Sequence, residues 1–293
     1  YVSEQNVDFV KKLSNNCISN STKIGWISTW NVRCGIATYS EHLLSKFESD
    51  YVIFSPKNQN IEEDKSIRCW NLGNDELSEL SECVLENNIT TILIQFNYGF
   101  FDLNSFDNFL KRMHANNIKT IVILHSTIDP ETDRGKKLKL ILGQLSICNR
   151  LLVHTPADLN RLKNLGLIDN VTLFPHGVLD LKTYDRKNDF KKFKNQKLHF
   201  STFGFCLPNK GFKELIQAIK ILHEQNINCK LTLYTSLYDA SISHDFLADL
   251  KLIINDLQLR KYVTINSSFL TDDQIYEYLS NTDLVIFPYQ YTN

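Results

Sequence analysis

The 293-residue chain is 43% apolar and 22% charged, with 32 Lys and Arg against 33 Asp and Glu. A formal net charge of −1 excludes a nucleic-acid binder that works through a large basic field, and the composition is that of an ordinary globular protein. Seven cysteines stand singly at 17, 34, 69, 83, 148, 206 and 229, with no C-x-x-C pair, which points to reduced thiols in a cytoplasmic protein rather than to a disulfide framework or zinc site. No apolar run approaches the roughly 18 residues a membrane span needs, and none reads as a signal peptide. The length predicts about two domains. Both ends read as cut: "YVSEQNVDFVKKL" begins at Tyr1 partway along a helical pattern, and "DLVIFPYQYTN" is a strand and its exit loop.

In chain order, "KIGWIST" is an apolar, β-prone strand, and Ile36, Tyr39, Leu43 and Leu44 then keep helical spacing on one face. The turn between them, Asn31 to Gly35, is tight, and Gly35 falls where the helix begins. Such a turn offers free backbone N–H groups to an anion; alternatively the glycine only lets the helix pack closely on the strand. Strands "DYVIFSP" and "IRCWNL" follow, then a helix over Asp75 to Asn87 and strand "TTILIQFNY". The alternation continues with helix "SFDNFLKRMHANN", entered through Asn104-Ser105, and strand "KTIVILHST". Helix "GKKLKLILGQLSIC" leads to strand "RLLVHT", and helix "PADLNRLKNLG", with Pro156 in its first turn, leads to strand "NVTLFPHGV". This spacing predicts a doubly wound parallel sheet.

The composition changes at Leu179 to Lys197, where Asp185 to Lys197 carries six Lys or Arg against two Asp. The stretch reads as a solvated connector, with a basic membrane-contacting patch as the other option. A second series follows: strand "LHFSTFGF", helix "GFKELIQAIKILHEQ", strand "CKLTLYTS", helix "DFLADLKLIINDLQL", strand "YVTINSSF", helix "DDQIYEYLSN" and strand "LVIFPY". The expected organisation is an N-terminal Rossmann-like domain at 1–178, a linker at 179–196 and an incomplete C-terminal Rossmann-like domain at 197–293. Two such domains facing each other would leave a cleft at the carboxyl ends of their strands.

The segments "NVRCGIATYS", "IQFNYGFF", "VILHST", "LLVHTPADLNRL", "LFPHGV", "FGFCLPNKGFKELIQAI" and "DLVIFPY" occur in this order along nearly the whole chain. In that joint order the sequence resembles the retaining glycosyltransferases of family 4, with the GT-B fold of two facing Rossmann-like domains. "QFNYGFF" together with "FGFCLPNKG" is most similar to bacterial mannosyltransferases of surface-polysaccharide (O-antigen) synthesis. The resemblance implies transfer of mannose from a nucleotide sugar to a saccharide or lipid-linked saccharide acceptor, in the cytoplasm or at the inner face of the cell membrane. GDP-mannose is the first choice of donor and a UDP-sugar the second; no cofactor is implied.

The resemblance gives Gly35 a place where backbone N–H groups meet the donor diphosphate or the bound sugar. Lys210, in "PNKG" after a strand, would stabilise the charge on the departing nucleoside diphosphate; otherwise it is a solvated lysine at a helix start. Where the family commonly has an arginine about five residues earlier, Phe205 stands here. His125 follows strand "TIVIL", where it would lie beside the transferred sugar or be satisfied by local backbone. Gly204 and Phe269 are further donor-binding candidates, and Arg33 is a minor one. His154 is either a cleft residue or a neighbour of a helix cap, and His176 ends the last strand of the first domain, where a structural role fits better than a chemical one.

No metal-ligand pattern is visible, and Asp272-Asp273 reads as the N-terminal cap of a helix. The family's E-x7-E glutamates would follow "DLVIFPY" directly, where the sequence reaches Asn293. A catalytically silent sugar-nucleotide-binding or scaffold module therefore stands as a second reading, and a sugar epimerase, for which no carboxylates are located, as a third.

Overall fold

A strand with no exposed residue needs a cover on both faces of its sheet. β1 (Ile24–Ile27) is of this kind, as is the later strand over Thr91–Phe96. The computed structural model describes residues 22–57, 65–131, 133–178, 197–238 and 241–290. The chain divides into two compact units, Tyr1–Tyr184 and Asp185–Asn293. The helix expected in the opening residues and the connector expected at 179–196 lie outside the described residues.

In the first unit β1 is followed by α1 (Gly35–Leu44), β2 (Tyr51–Pro56), β3 (Ile67–Trp70), α2 (Ser78–Glu86), β4 (Thr91–Phe96) and α3 (Leu103–Ala115). Then come β5 (Lys119–Leu124), α4 (Leu142–Ile147), β6 (Arg150–Val153), α5 (Pro156–Asn164) and β7 (Val171–Leu173). The strands form one parallel sheet in the order β3-β2-β1-β4-β5-β6-β7. The order reverses between β1 and β4, the switch point at which open α/β sheets bind ligands.

Side chains alternate across the sheet. Ile27, Ile92, Ile94, Phe96, Val122, Leu124, Leu151 and Val153 share a core with Leu80, Phe106, Leu110, Leu145 and Leu162 from α2 to α5. The opposite face carries Trp26, Ile53, Leu93, Ile123, Leu152 and Phe174, packed with Leu44 and Tyr39 of α1.

The second unit holds β8 (Leu198–Phe205), α6 (Phe212–Glu224), β9 (Cys229–Ser236), α7 (Ser241–Asp256), β10 (Val263–Asn266), α8 (Asp272–Ser280) and β11 (Leu284–Val285). Its described strands form a parallel sheet in the order β10-β9-β8-β11, with the switch point between β8 and β11. Phe212, Leu215, Ile216 and Ile219 of α6 and Phe246, Leu250 and Ile254 of α7 supply its core. The α/β class and the two parallel Rossmann-like sheets are as the sequence predicts.

Local chemistry shifts several boundaries. The helix expected from Gly135 is replaced by a 3-10 turn at Leu138–Leu140 followed by the short α4. The Leu138 amide donates to Asp129 Oδ1 at 3.0 Å and Lys137 is extended, so no helical turn forms before Leu138. α2 starts at Ser78 rather than Asp75, because the Asp75 carboxylate accepts from the amides of Asn71 and Leu77, and Leu77 sits at φ 59°. α3 is capped by Asp102, whose side chain accepts from the Ser105 amide, not by Asn104. α8 is capped by Thr271 in a reciprocal pair with Gln274, so Asp272 and Asp273 belong to its first turn. α7 begins at Ser241, four residues before the expected Asp245.

Candidate functional site

In the first unit the α1-facing row of the sheet changes from apolar to polar at its carboxyl edge. Two residues beyond Leu93, Ile123, Leu152 and Phe174 on the same face stand Gln95, His125, His154 and His176. The pairing of Leu124 with Val153 carries His125 and His154 to adjacent places, their ring centroids 5.0 Å apart. His154 stacks on His176 at 3.8 Å. The Tyr39 ring, from α1, meets His125, His154 and His176 edge-on at 5.2, 5.5 and 5.3 Å. Three histidines separated by dozens of residues in sequence thus converge on one tyrosine.

The electrostatics of this cluster follow from burial. His125 is pushed down to about 3, first by burial and then by His154 and His176. His154 is pushed down to about 4, again by burial and then by His176. Burial also lowers His176 and raises the Tyr39 phenol. At neutral pH the cluster is an uncharged, polar wall. His125 Nε2 is 2.6 Å from Gln95 Oε1, and His154 Nδ1 is 2.9 Å from the Phe174 carbonyl oxygen. The Tyr39 hydroxyl, His154 Nε2 and Gln95 Nε2 are buried with no hydrogen-bond partner among the described residues. Among the described residues no group of three or more His, Cys, Asp or Glu side chains is placed to hold a metal ion.

Gly35 opens α1 and Arg33 lies in the turn between β1 and α1, and both are exposed. A Cβ on Gly35 would meet nothing within 4 Å, so close packing of α1 on the sheet is not what the glycine provides. Cys34, the N-cap, makes no side-chain cap, and α1 has no acidic residue in its first turn. The helix start therefore has neither a side-chain cap nor an acidic residue of its own first turn to offset its positive end.

In the second unit Lys210 ends a 3-10 turn, Pro208–Lys210, that leaves the carboxyl end of β8. Gly211 follows at φ 70° and is the N-cap of α6. A Cβ there would lie 1.9 Å from the Pro288 carbonyl oxygen, and the Gln290 amide donates to the Asn209 carbonyl at 3.0 Å. The segments after β8 and after β11 are thus held backbone to backbone at the switch point. Lys210 Nζ lies 4.0 Å from the centroid of the Tyr289 ring. Burial lowers the Lys210 ammonium below the usual lysine range, and among the described residues no carboxylate pairs with it.

Gly204, at φ 149°, also faces this segment: a Cβ would stand 3.2 Å from Tyr289 Oη. Phe205 packs edge-on against Tyr238 at 5.7 Å. Phe269, in the loop after β10, is 44% exposed. The structure therefore groups Lys210, Gly204 and Tyr289 in the second unit, and His125, His154 and His176 in the first.

Sequence reading did not single out Tyr289, Gln95 or the site face of Tyr39. Tyr39 was visible only as one apolar position of a helix, and the "FPY" and "IQF" motifs give no sign of which ring or amide they aim.

Each unit thus carries a parallel, Rossmann-like sheet with polar side chains gathered beyond the carboxyl ends of its strands. Solved structures carry the same fold. Sucrose-phosphate synthase of Thermosynechococcus elongatus matches with a TM-score of 0.67 at 14% identity, over 92% of this chain and 76% of that one. HepE of Anabaena, solved with UDP and glucose, matches at 0.66 and 13% identity, over 90% and 73%. A glycosyltransferase of Rickettsia africae matches at 0.62 and 13% identity, over 92% and 74%. At these identities the likeness is one of fold. No family model matches the chain, and neither does any curated protein. Among the described residues no helix is long and apolar enough to cross a membrane.

Proposed function

We propose that this chain is a retaining glycosyltransferase that moves a sugar from a nucleotide-sugar donor to a saccharide or lipid-linked saccharide acceptor. The observation that carries the reading is Lys210. A half-buried ammonium without a carboxylate partner among the described residues, at the switch point of a Rossmann-like sheet, fits an anionic ligand. The likeness in fold to HepE, solved with UDP and glucose, supports a nucleoside diphosphate as that anion.

In this reading the glycosidic bond breaks as the acceptor hydroxyl attacks on the same face, and the leaving phosphate takes the acceptor's proton. Negative charge grows on the diphosphate as it leaves, and the Lys210 ammonium stabilises that growth more than it stabilises the bound donor. Gly35 and the uncapped start of α1 offer backbone N–H groups to the donor, and the uncharged histidine wall of the first unit suits sugar hydroxyls. Mannose is the proposed sugar, with GDP-mannose ahead of UDP-sugars, in bacterial surface-polysaccharide synthesis.

The test is a thermal-shift panel on the full chain with GDP-mannose, UDP-glucose, GDP and UDP, followed by assay of nucleotide release with saccharide acceptors. A rise in the unfolding midpoint with a nucleotide sugar, lost in Lys210→Ala, is expected, because a ligand bound only by the folded state stabilises it. Stabilisation without transfer would favour a silent sugar-nucleotide-binding module. No shift with any member of the panel would overturn both.

A further inference from the structure

Gln95 is 0% exposed, in the middle strand row of the first sheet. A buried amide is costly unless it is hydrogen-bonded, and among the described residues the side chain of Gln95 bonds His125 alone, Nε2 to Oε1 at 2.6 Å. Its Nε2 is buried and has no partner among the described residues. The glutamine is therefore spent on a single imidazole.

An amide oxygen only accepts, so the nitrogen facing it must carry the proton. His125 is then the Nε2–H tautomer, and its Nδ1 is a bare lone pair. His154 is set the opposite way: its Nδ1 faces the Phe174 carbonyl and must donate, which leaves Nε2 bare. Two adjacent rings thus hold opposite tautomers, each fixed by a neighbour. The Leu124–Val153 pairing and the Tyr39 ring keep the His125 ring in place.

We propose that Gln95 is a positioning residue that locks His125 as the Nε2–H tautomer, so that His125 can accept, but not donate, a hydrogen bond from a ligand hydroxyl through Nδ1. The ligand class rests on the glycosyl-transfer reading; the tautomer does not. Burial keeps the ring neutral at physiological pH, so the lone pair remains available.

The experiment uses the full chain labelled with 15N-histidine and long-range 1H–15N correlation at pH 7.5, with the His125 signals identified by their loss in His125→Gln. In the wild type, Nε2 should show the protonated signature and Nδ1 the unprotonated one. Gln95→Met keeps the length and removes the acceptor, so the Nδ1–H form should appear while circular dichroism stays unchanged. Gln95→Glu keeps the acceptor and adds charge, so Nε2–H should persist and His125 should take up its second proton at higher pH. Tyr39, His154 and His176, the titratable groups packed on the ring, are the same in every variant. A wild-type Nδ1–H form, or a Gln95→Met spectrum identical to wild type, would overturn the proposal. If Gln95→Met fails to fold, an unmoved His125 titration in Gln95→Glu overturns it instead. Because the readout is a resonance and not turnover, failure to transfer a sugar leaves the tautomer result standing, and the reverse holds too.

Discussion

The backbone of Gly211 lies against that of Pro288, so closely that a Cβ at 211 would come within 1.9 Å of the Pro288 carbonyl oxygen. The oxygen is backbone and the backbone fixes the Cβ, so no rotamer change relieves the contact, and φ 70° adds its own strain for any other residue. Gly211→Ala is therefore expected to cost the second unit about 3 kcal/mol or more, read as a lower denaturant midpoint.

Gly35 is the counter-case. Its Cβ would meet nothing within 4 Å, and it occupies the first position of α1. Gly35→Ala should leave stability unchanged or raise it by about 0.5 kcal/mol, while Gly35→Val should weaken donor binding at least tenfold, about 1.4 kcal/mol. Unimpaired binding together with a sharp loss of stability in Gly35→Val would restore the packing role.

Lys210 rests on Tyr289, with Nζ 4.0 Å from the ring centroid. Lys210→Ala should lower kcat roughly 10²–10³-fold, the scale of losing one group that stabilises transition-state charge. On the proposed glycosyl-transfer reading KM should change less, because backbone contacts to the ground-state diphosphate would remain. Tyr289→Phe keeps the π face and should be near wild type, whereas Tyr289→Leu should lose roughly tenfold in kcat/KM. An unchanged kcat in Lys210→Ala would mean that another cation faces the leaving group.

The histidine wall makes stability depend on pH. An unfolded histidine titrates near 6.5, but in the folded chain His125 and His154 hold out to about 3 and about 4. Between about pH 6.5 and pH 4 the unfolded chain binds protons that the folded chain refuses, so stability falls as pH drops through that window and is fully present above it. Each histidine contributes a slope of about 1.4 kcal/mol per pH unit at most. Urea midpoints at pH 7 and pH 5 should differ, and the difference should shrink in His125→Gln. Equal midpoints in the wild type would falsify the assignment.

The Tyr39 hydroxyl is buried without a partner among the described residues. Tyr39→Phe removes a desolvated group and keeps the ring against His125, His154 and His176, so it should be neutral or stabilising by about 1 kcal/mol. A loss of more than about 1 kcal/mol on thermal unfolding would show that the hydroxyl is satisfied by an ordered water.

Periodicity alone determined most of the architecture. Uninterrupted apolar strands such as "TTILIQF" and "KTIVIL" cannot tolerate a wet face, and the helices between them leave only parallel crossovers, so the two-series α/β organisation was legible in residue order. The position of Lys210 between strand and helix was legible too, because a lysine beside a glycine there is a local pattern. The break before Leu138 was not: it depends on an Asp129 carboxylate nine residues away that takes the Leu138 amide. Nor was the grouping of Gln95, His125, His154 and His176, which sit 20 to 30 positions apart and meet only because the register of β4 to β7 lays them side by side at one edge. Tyr289 over Lys210 and Pro288 against Gly211 likewise join segments nearly 80 residues apart. A sequence specifies which side chains face the same side of a strand; which of them touch is decided by strand order and register, which only the tertiary fold supplies.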